Sequence, residues 1–374
     1  MLLKKDILFI FYFCPHSPSS YHFLPSIITV ITQPKMISIK SLAESPNLNS
    51  IPSNYAFTNN EQYLLEDDAE VKIPTVDFSL LTSGNPDQRS KAIYELGKAC
   101  EDWGFFTVIN HGVPERLMGA VIDGCRGFFE LSEEDKEEFK ANHVLDPIRY
   151  GTSFNASVEE VFFWRDYLKV FVHPQFHFPN KPSGFSEISQ DYCKRTQEVA
   201  RKILEGISES LGLEANYIDK ALNLKSGFQL FAANFYPPCP QPELAMGMPP
   251  HSDHGLLTIL TQNGIGGLQI QHNEMWVNVN ALPNSFLVNT GDHLQVLTNG
   301  KYKSVIHRAV VNNKATRISL AIANGPSLDS VVAPAPELLK TNPSVYIGLK
   351  YKDYMELQQS NKLDGKSCLD RVRL

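Results

Sequence analysis

The chain has 374 residues, 43% of them hydrophobic and 20% charged, the balance of a globular protein with material for a sizeable core. Its net charge of −7 argues against nucleic acid as a partner, because phosphate binding needs a basic surface. Six cysteines (Cys14, Cys100, Cys125, Cys193, Cys239 and Cys368) lie scattered with no C-x-x-C pair, which fits neither a zinc ribbon nor a disulfide framework and points to reduced thiols in a cytoplasmic protein.

The first twenty residues, MLLKKDILFIFYFCPHSPSS, contain an eight-residue apolar run from Ile7 to Cys14. That run is too short to span a bilayer, and no small-residue cleavage site of a secretory signal follows it. Residues 1–35 are therefore expected to be a poorly ordered or non-native extension, with Met36 as an ordinary start and no membrane association. Residues 36–70, rich in Pro, Ser and Asn, read as a linker that wraps or dangles. An N-terminal helical and strand region is expected over 71–190. It begins with the short strand IPTVDFS and a helix opened by Pro86, with Ile93, Leu96, Cys100 and Trp103 on one stripe. A strand, GFFTVIN, and a second helix through Leu117, Val121, Cys125 and Phe128 follow. A long supporting helix is expected from about 190 to 211, within a segment 191–225, with Tyr192, Val199, Ile203 and Ile207 facing inward.

After Ser226 the pattern changes to period two. FQLFAANFY, GLLTILTQ, GGLQIQ, EMWVNV, SFLVNTGDHLQVLT, SVIHRAVVN and RISLAIA read as strands separated by turn residues, making 226–327 a β-barrel or double-sheet jelly roll. Helical patterning returns in the C-terminal segment, 328–374. The fold class is mixed α/β, of the α+β kind: a β core flanked by N- and C-terminal helices.

Within that core, PPHSDHGLLTIL places His251 and Asp253 at i and i+2, so both side chains can address one ion from a strand. Alone, an H-x-D pair has a high false-positive rate. His307 in SVIHRAVVN can supply a third ligand, and two imidazoles with one carboxylate suit ferrous iron with open positions for substrate and oxygen. Ten residues on, RISLAIA offers Arg317 and Ser319, again at i and i+2. VNNKAT between His307 and Arg317 reads as a hairpin turn, so the strands that carry those two residues are expected side by side. A buried guanidinium needs an anion, and a dicarboxylic keto acid that chelates iron at one end and meets Arg317 at the other satisfies both demands.

NFYPPCPQPELAMGMPPHSDHGLLTIL, GDHLQVLTNGKYKSVIHR and RIS, with CEDWGFFTVINHGVP upstream, together resemble the plant 2-oxoglutarate- and iron(II)-dependent dioxygenases, in the isopenicillin N synthase-like superfamily, over roughly residues 50–360. The resemblance implies a double-stranded β-helix and iron ligation by His251, Asp253 and His307. It also implies 2-oxoglutarate held by Arg317 and Ser319, with Tyr236 and Asn234 helping. Fe(II), 2-oxoglutarate and O2, with ascorbate as reductant, are the implied cofactors. The reaction implied is hydroxylation or desaturation of a small hydrophobic plant specialised metabolite by a monomer, with release of succinate and CO2.

Other histidines have simpler readings. His254 at i+3 is expected on the opposite face as a packing or surface residue, His272 and Glu274 fall in a turn, and His111 and His293 are expected to be structural. Phe154 and the Phe162, Phe163 and Trp164 cluster are candidate pocket walls, although aromatic clusters more often build core. Where the resembling family commonly has an aromatic residue four positions beyond the serine, this chain has Ala323, which faces inward with Arg317 and Ser319. A methyl there leaves room for a substrate bulkier than a flat flavonoid, of steroid or alkaloid size. Three other readings stay open: an iron oxidase of the same fold that uses no 2-oxoglutarate, a non-catalytic small-molecule receptor, and a zinc hydrolase, for which no separate general base is evident.

Overall fold

In the computed structural model, described for residues 37–57, 72–141, 143, 145–154, 158–340, 342–360, 362, 363 and 365–374, twelve strands form two facing sheets. In chain order they are β1 (Thr75–Asp77), β2 (Phe105–Ile109), β3 (Ile148–Thr152), β4 (Asp166–His173), β5 (Phe228–Tyr236), β6 (Met248–His251), β7 (Leu257–Gln262), β8 (Leu268–His272), β9 (Met275–Val279), β10 (Phe286–Thr290), β11 (His307–Ala309) and β12 (Arg317–Gly325). The larger sheet runs β1-β2-β10-β7-β12-β5-β4-β3 and the smaller β6-β11-β8-β9. Every pairing except β1 with β2 is antiparallel. The expectation for residues 1–35 lies outside the described residues.

Strand alternation divides the larger sheet into two chemically distinct faces. Ile318, Leu320 and Ile322 of β12, Phe231, Ala233 and Phe235 of β5, Leu168 and Val170 of β4, and Leu257 and Ile259 of β7 join one core with the helices Glu115–Glu130 and Phe185–Ser210. The intervening residues of the same strands face the smaller sheet and line a cavity. One face is thus spent on stability, and the other is free to carry chemistry.

Helix starts follow local chemistry. Asn85 and Gln88 form a reciprocal capping box at the helix Pro86–Lys98, which closes in a π-turn, Ala99–Trp103. Gly104 then takes a φ of 61°, where any Cβ would collide with the Lys303 carbonyl. The long helix starts at Phe185, five residues before the expected 190, because its first turn buries Phe185 against the sheet.

Of the segment read as one that wraps or dangles, residues 37–57 wrap onto the fold: Ile39, Ile51 and Tyr55 are buried, and the Ile39 and Lys40 amides donate to the Asp166 carboxylate at 2.9 Å each. Two further expectations are corrected. SFLVNTGDHLQVLT is one strand only to Thr290; Asp292–Leu297 is a helix that buries Leu294, Val296 and Leu297. The strands of His307 and Arg317 are not neighbours. β11 already has β6 and β8 on its two edges, and β12 has β5 and β7, so neither has a free edge for the other. Asn312 builds the connection, accepting from the Lys314 and Ala315 amides and donating to the Ala315 carbonyl, and the chain crosses from one sheet to the other.

Candidate functional site

The cavity between the sheets opens to solvent, and with the solvent at its mouth its empty space comes to about 1060 Å³. His251 and His307 are cross-strand partners in the smaller sheet, and Asp253 follows just beyond the end of β6. One ligand atom from each of the three lies within 4.8 Å of the others, the only such cluster among the described residues. Asp253 Oδ1 is 3.8 Å from His251 Nε2 and 3.7 Å from His307 Nε2. Their other ring nitrogens face backbone carbonyls, His251 Nδ1 to Pro249 at 2.8 Å and His307 Nδ1 to Val305 at 3.1 Å. A carbonyl only accepts, so each Nδ1 carries the proton and each Nε2 lone pair is turned toward the carboxylate, the arrangement that orients imidazoles for a metal.

Asn289 Nδ2 donates to the remaining Asp253 oxygen, Oδ2, at 2.9 Å. Burial opposes the charge of Asp253, but His307, His251 and the Asn289 amide outweigh it and hold the carboxyl below its ordinary range. Burial, with His307 beside it, depresses His251 to about 3, and burial depresses His254 to about 4 and His293 to about 3.

All three imidazoles are neutral in the folded chain at neutral pH and gain protons on unfolding. Their stability contribution is complete above the unfolded value near pH 6.5 and is lost as pH falls from there toward 3–4. Each should cost about 1 kcal/mol between pH 6.5 and 5.5, about 3 kcal/mol together. Urea unfolding of the metal-free chain at the two pH values measures this, and equal stabilities would contradict it.

Across the cavity, the larger sheet presents its side chains in rows. One row pairs Arg317 with Tyr236; the next sets Ser319 beside Asn234 and Tyr167. The Arg317 guanidinium is 2% exposed and lies 5.1 Å from the centroid of the Tyr236 ring. Its Nη2 donates to Gln262 Oε1 at 2.9 Å, and its Nε has no partner. A buried cation with an unfilled donor calls for an anion, and the donor set suits a carboxylate. Asn234 is already engaged, accepting from Arg165 and donating to the Ala232 carbonyl.

Phe154 and Ala323 line the cavity; Phe163 does not. Phe163 stacks on Phe57, and its neighbours Phe162 and Trp164 pack on Tyr55, so this cluster fastens the N-terminal segment. His254 is not turned away as strand alternation would require, because β6 ends at His251. It lines the cavity, with Nδ1 2.7 Å from the Tyr351 hydroxyl. His272 stacks on Trp103 with ring centres 3.7 Å apart, His293 Nδ1 accepts the Gly255 amide, and His111 lies on Phe286. Sequence reading misses Arg149, Arg165, Lys169 and Asn289, all of which line the cavity. The available signal is parity: Arg149 and Lys169 occupy cavity-facing positions of alternating strands.

Comparison with known proteins adds to this geometry. The model of the 2OG-Fe(II) oxygenase superfamily matches residues 227–326, and that of the non-haem dioxygenase in morphine synthesis N-terminal region matches residues 73–191. A rice protein (Oryza sativa subsp. japonica) named 2-oxoglutarate-dependent dioxygenase 19 is 48% identical over 81% of this chain and 90% of its own length. Thebaine 6-O-demethylase of Papaver somniferum is 37% identical over 90% of this chain and 96% of its own. The crystal structure of JOX2 in complex with 2OG, Fe and JA superposes with a TM-score of 0.82 at 31% identity, covering 91% of this chain and 98% of that one.

Proposed function

Because the chain belongs to the 2-oxoglutarate- and Fe(II)-dependent dioxygenases, we propose that His251, Asp253 and His307 are its iron ligands and that Arg317 and Ser319, with Tyr236 and Asn234, hold 2-oxoglutarate. The observation that carries this assignment is the pair of Nε2 atoms turned on one carboxylate oxygen while both Nδ1 atoms are tied to backbone carbonyls. The enzyme is a 2-oxoglutarate-dependent dioxygenase. Iron bound at the triad, with 2-oxoglutarate, supplies oxygen activation coupled to release of succinate and CO2. This chain's residues do the rest. Arg317 fixes one end of the keto acid, Asn289 fixes the rotamer of Asp253, and the sheet face keeps water away.

The substrate is read as a small hydrophobic plant metabolite, hydroxylated or desaturated by a monomer in the cytoplasm, with 226–327 as the catalytic core and the flanking helical segments as its support. No helix among the described residues is long and apolar enough to cross a membrane. The relatives' names differ too widely in chemistry to choose a substrate, so the walls must. Ala232, Ala321 and Ala323 form a shallow floor beyond Ser319, with Leu230 and Met355 beside it. That floor supports a bulky body of the size of a steroid, alkaloid or phenylpropanoid skeleton. Ala323→Phe should lower turnover of the native substrate at least tenfold by filling this space, while iron content stays constant. Unchanged kinetics would remove the size argument. The function itself is tested by incubating the chain with Fe(II), 2-oxoglutarate, ascorbate and plant extract fractions. Succinate should form one-to-one with an oxidised product, and its absence from every fraction would contradict the reading.

A further inference from the structure

Five cations line the cavity, namely Arg149, Arg165, Lys169, Arg308 and Arg317, against a single carboxylate, Asp253, among the described residues. Fe(II), ionised Asp253, the 2-oxoglutarate dianion and Arg317 sum to zero charge. Arg308 is bonded to Gln269 and lies over Trp276, while Arg165 donates to Asn234 and to the Ser153 carbonyl. Arg165 Nε and Arg308 Nη1 also lack partners, but only Arg149 and Lys169 of the five make no side-chain hydrogen bond among the described residues. Those two stand directly opposite each other on β3 and β4, a cross-strand juxtaposition of two basic groups that is unfavourable whenever both are protonated. Arg149 is 7% exposed and its Nε has no partner. Lys169 Nζ makes no ion pair among the described residues; it rests over the Phe154 ring at 4.8 Å and the Tyr167 ring at 5.2 Å. Burial and the adjacent Arg149 press its protonated form well down.

These two do not serve the cosubstrate. The register runs Arg149, Lys169, Ala232, Ala321 across four adjacent strands, one row beyond the row of Ser319 and Asn234. From β12, β4 lies two strand spacings away and β3 three, about 10 and 14 Å, whereas a five-carbon chain spans about 5 Å. Ala232 of the alanine floor lies between the cations and the strand that carries Arg317, and Ala321 and Ala323 continue the floor along that strand.

We propose that the substrate is an organic acid, its apolar body lying on Ala232, Ala321 and Ala323 and its carboxylate held between Arg149 and Lys169. The proposal rests on the dioxygenase site as assigned above and names the substrate class for it. A carboxylate offers two acceptor oxygens, one for the Arg149 fork and one for the Lys169 ammonium, and it cancels the repulsion between them. An amine-bearing skeleton would add a third cation to this wall, so a protonated alkaloid is disfavoured.

The test uses the full chain under anaerobic conditions with Fe(II) and saturating 2-oxoglutarate, so that Arg317 is already occupied. Calorimetric titrations with 4-phenylbutyrate, 4-phenylbutyramide and 4-phenylbutylamine compare an acid, an amide and an amine on one apolar body. The acid should bind roughly tenfold or more tightly than the amide, and the amine least well. Lys169→Met and Arg149→Gln should each remove that preference, and Arg149→Lys should keep part of it. Lys169→Met should not lower the unfolding temperature of the unliganded chain, because it replaces a buried amine that makes no ion pair among the described residues with apolar volume; a Lys169 that served only the fold would behave in the opposite way. Equal binding of acid and amide, or a preference that survives both variants, overturns the proposal. A chain that binds no 2-oxoglutarate overturns the underlying assignment, and this proposal with it.

Discussion

Asp253→Ala should leave the chain unable to retain iron through gel filtration and should lower succinate formation by well over a hundredfold. The comparison that gives this meaning is Asn289→Ala. The Asn289 side chain makes its one hydrogen bond among the described residues to Asp253 Oδ2, so its removal loosens the carboxylate without deleting a ligand. Outer partners of that kind cost about 10- to 100-fold in metal affinity or activity, and loss of a ligand must exceed them. Unfolding is an unconvincing explanation for either loss. Burial keeps His251 neutral, so removing Asp253 strands no positive charge on that imidazole, and the unfolding temperature of the metal-free variant serves as the control. An Asp253→Ala chain that keeps stoichiometric iron would exclude the assignment outright. A graded series, with Asn289→Ala between parent and Asp253→Ala, would support it.

Parity makes much of this site legible in the amino-acid sequence. Arg317, Ser319 and Ala323 stand at even spacing in a strand whose intervening members, Ile318, Leu320 and Ile322, are fully apolar, so one face has to carry the polar set. Helices with strong stripes are equally readable, because a periodic apolar face has one place to go. What the pattern does not supply is strand pairing. Whether β11 lies beside β12 depends on which edges other strands already occupy, and nothing local to residues 300–325 encodes that. The stretch after Gly291 misleads for another reason. Leu294, Val296 and Leu297 are a short apolar run, and such runs suit a strand or a buried helix equally by period alone. Lys169 and Arg149 escape notice because lysine and arginine in an alternating strand ordinarily mark the solvent face. Here that face is the cavity wall, which only the second sheet reveals.

Substitutions of Arg317 should separate binding from stability by sign. Arg317→Ala removes two charge-assisted hydrogen bonds to a carboxylate, each about 1.5–3 kcal/mol, so 2-oxoglutarate affinity should fall by roughly 10²- to 10⁴-fold with iron still bound. Arg317→Lys keeps the charge but not the fork and should fall between, raising the 2-oxoglutarate requirement by about one to two orders of magnitude. The unliganded protein should respond in the opposite direction. Arg317 is buried with no anionic partner and an empty Nε, an arrangement that burial opposes electrostatically. Arg317→Met replaces that charge with apolar volume and gives up only neutral partners, Gln262 and Tyr236, so the free chain should be about as stable as the parent or more so. Ligand linkage then reverses the order. At a hundred times its Kd, 2-oxoglutarate should stabilise the parent by about 2.7 kcal/mol and the Met variant by almost nothing. A residue that maintains the fold would weaken the free protein when removed; a residue waiting for its anion weakens only the complex. Thermal unfolding of both chains, with and without 2-oxoglutarate, distinguishes the two, and a Met variant destabilised in both states would make Arg317 a structural residue.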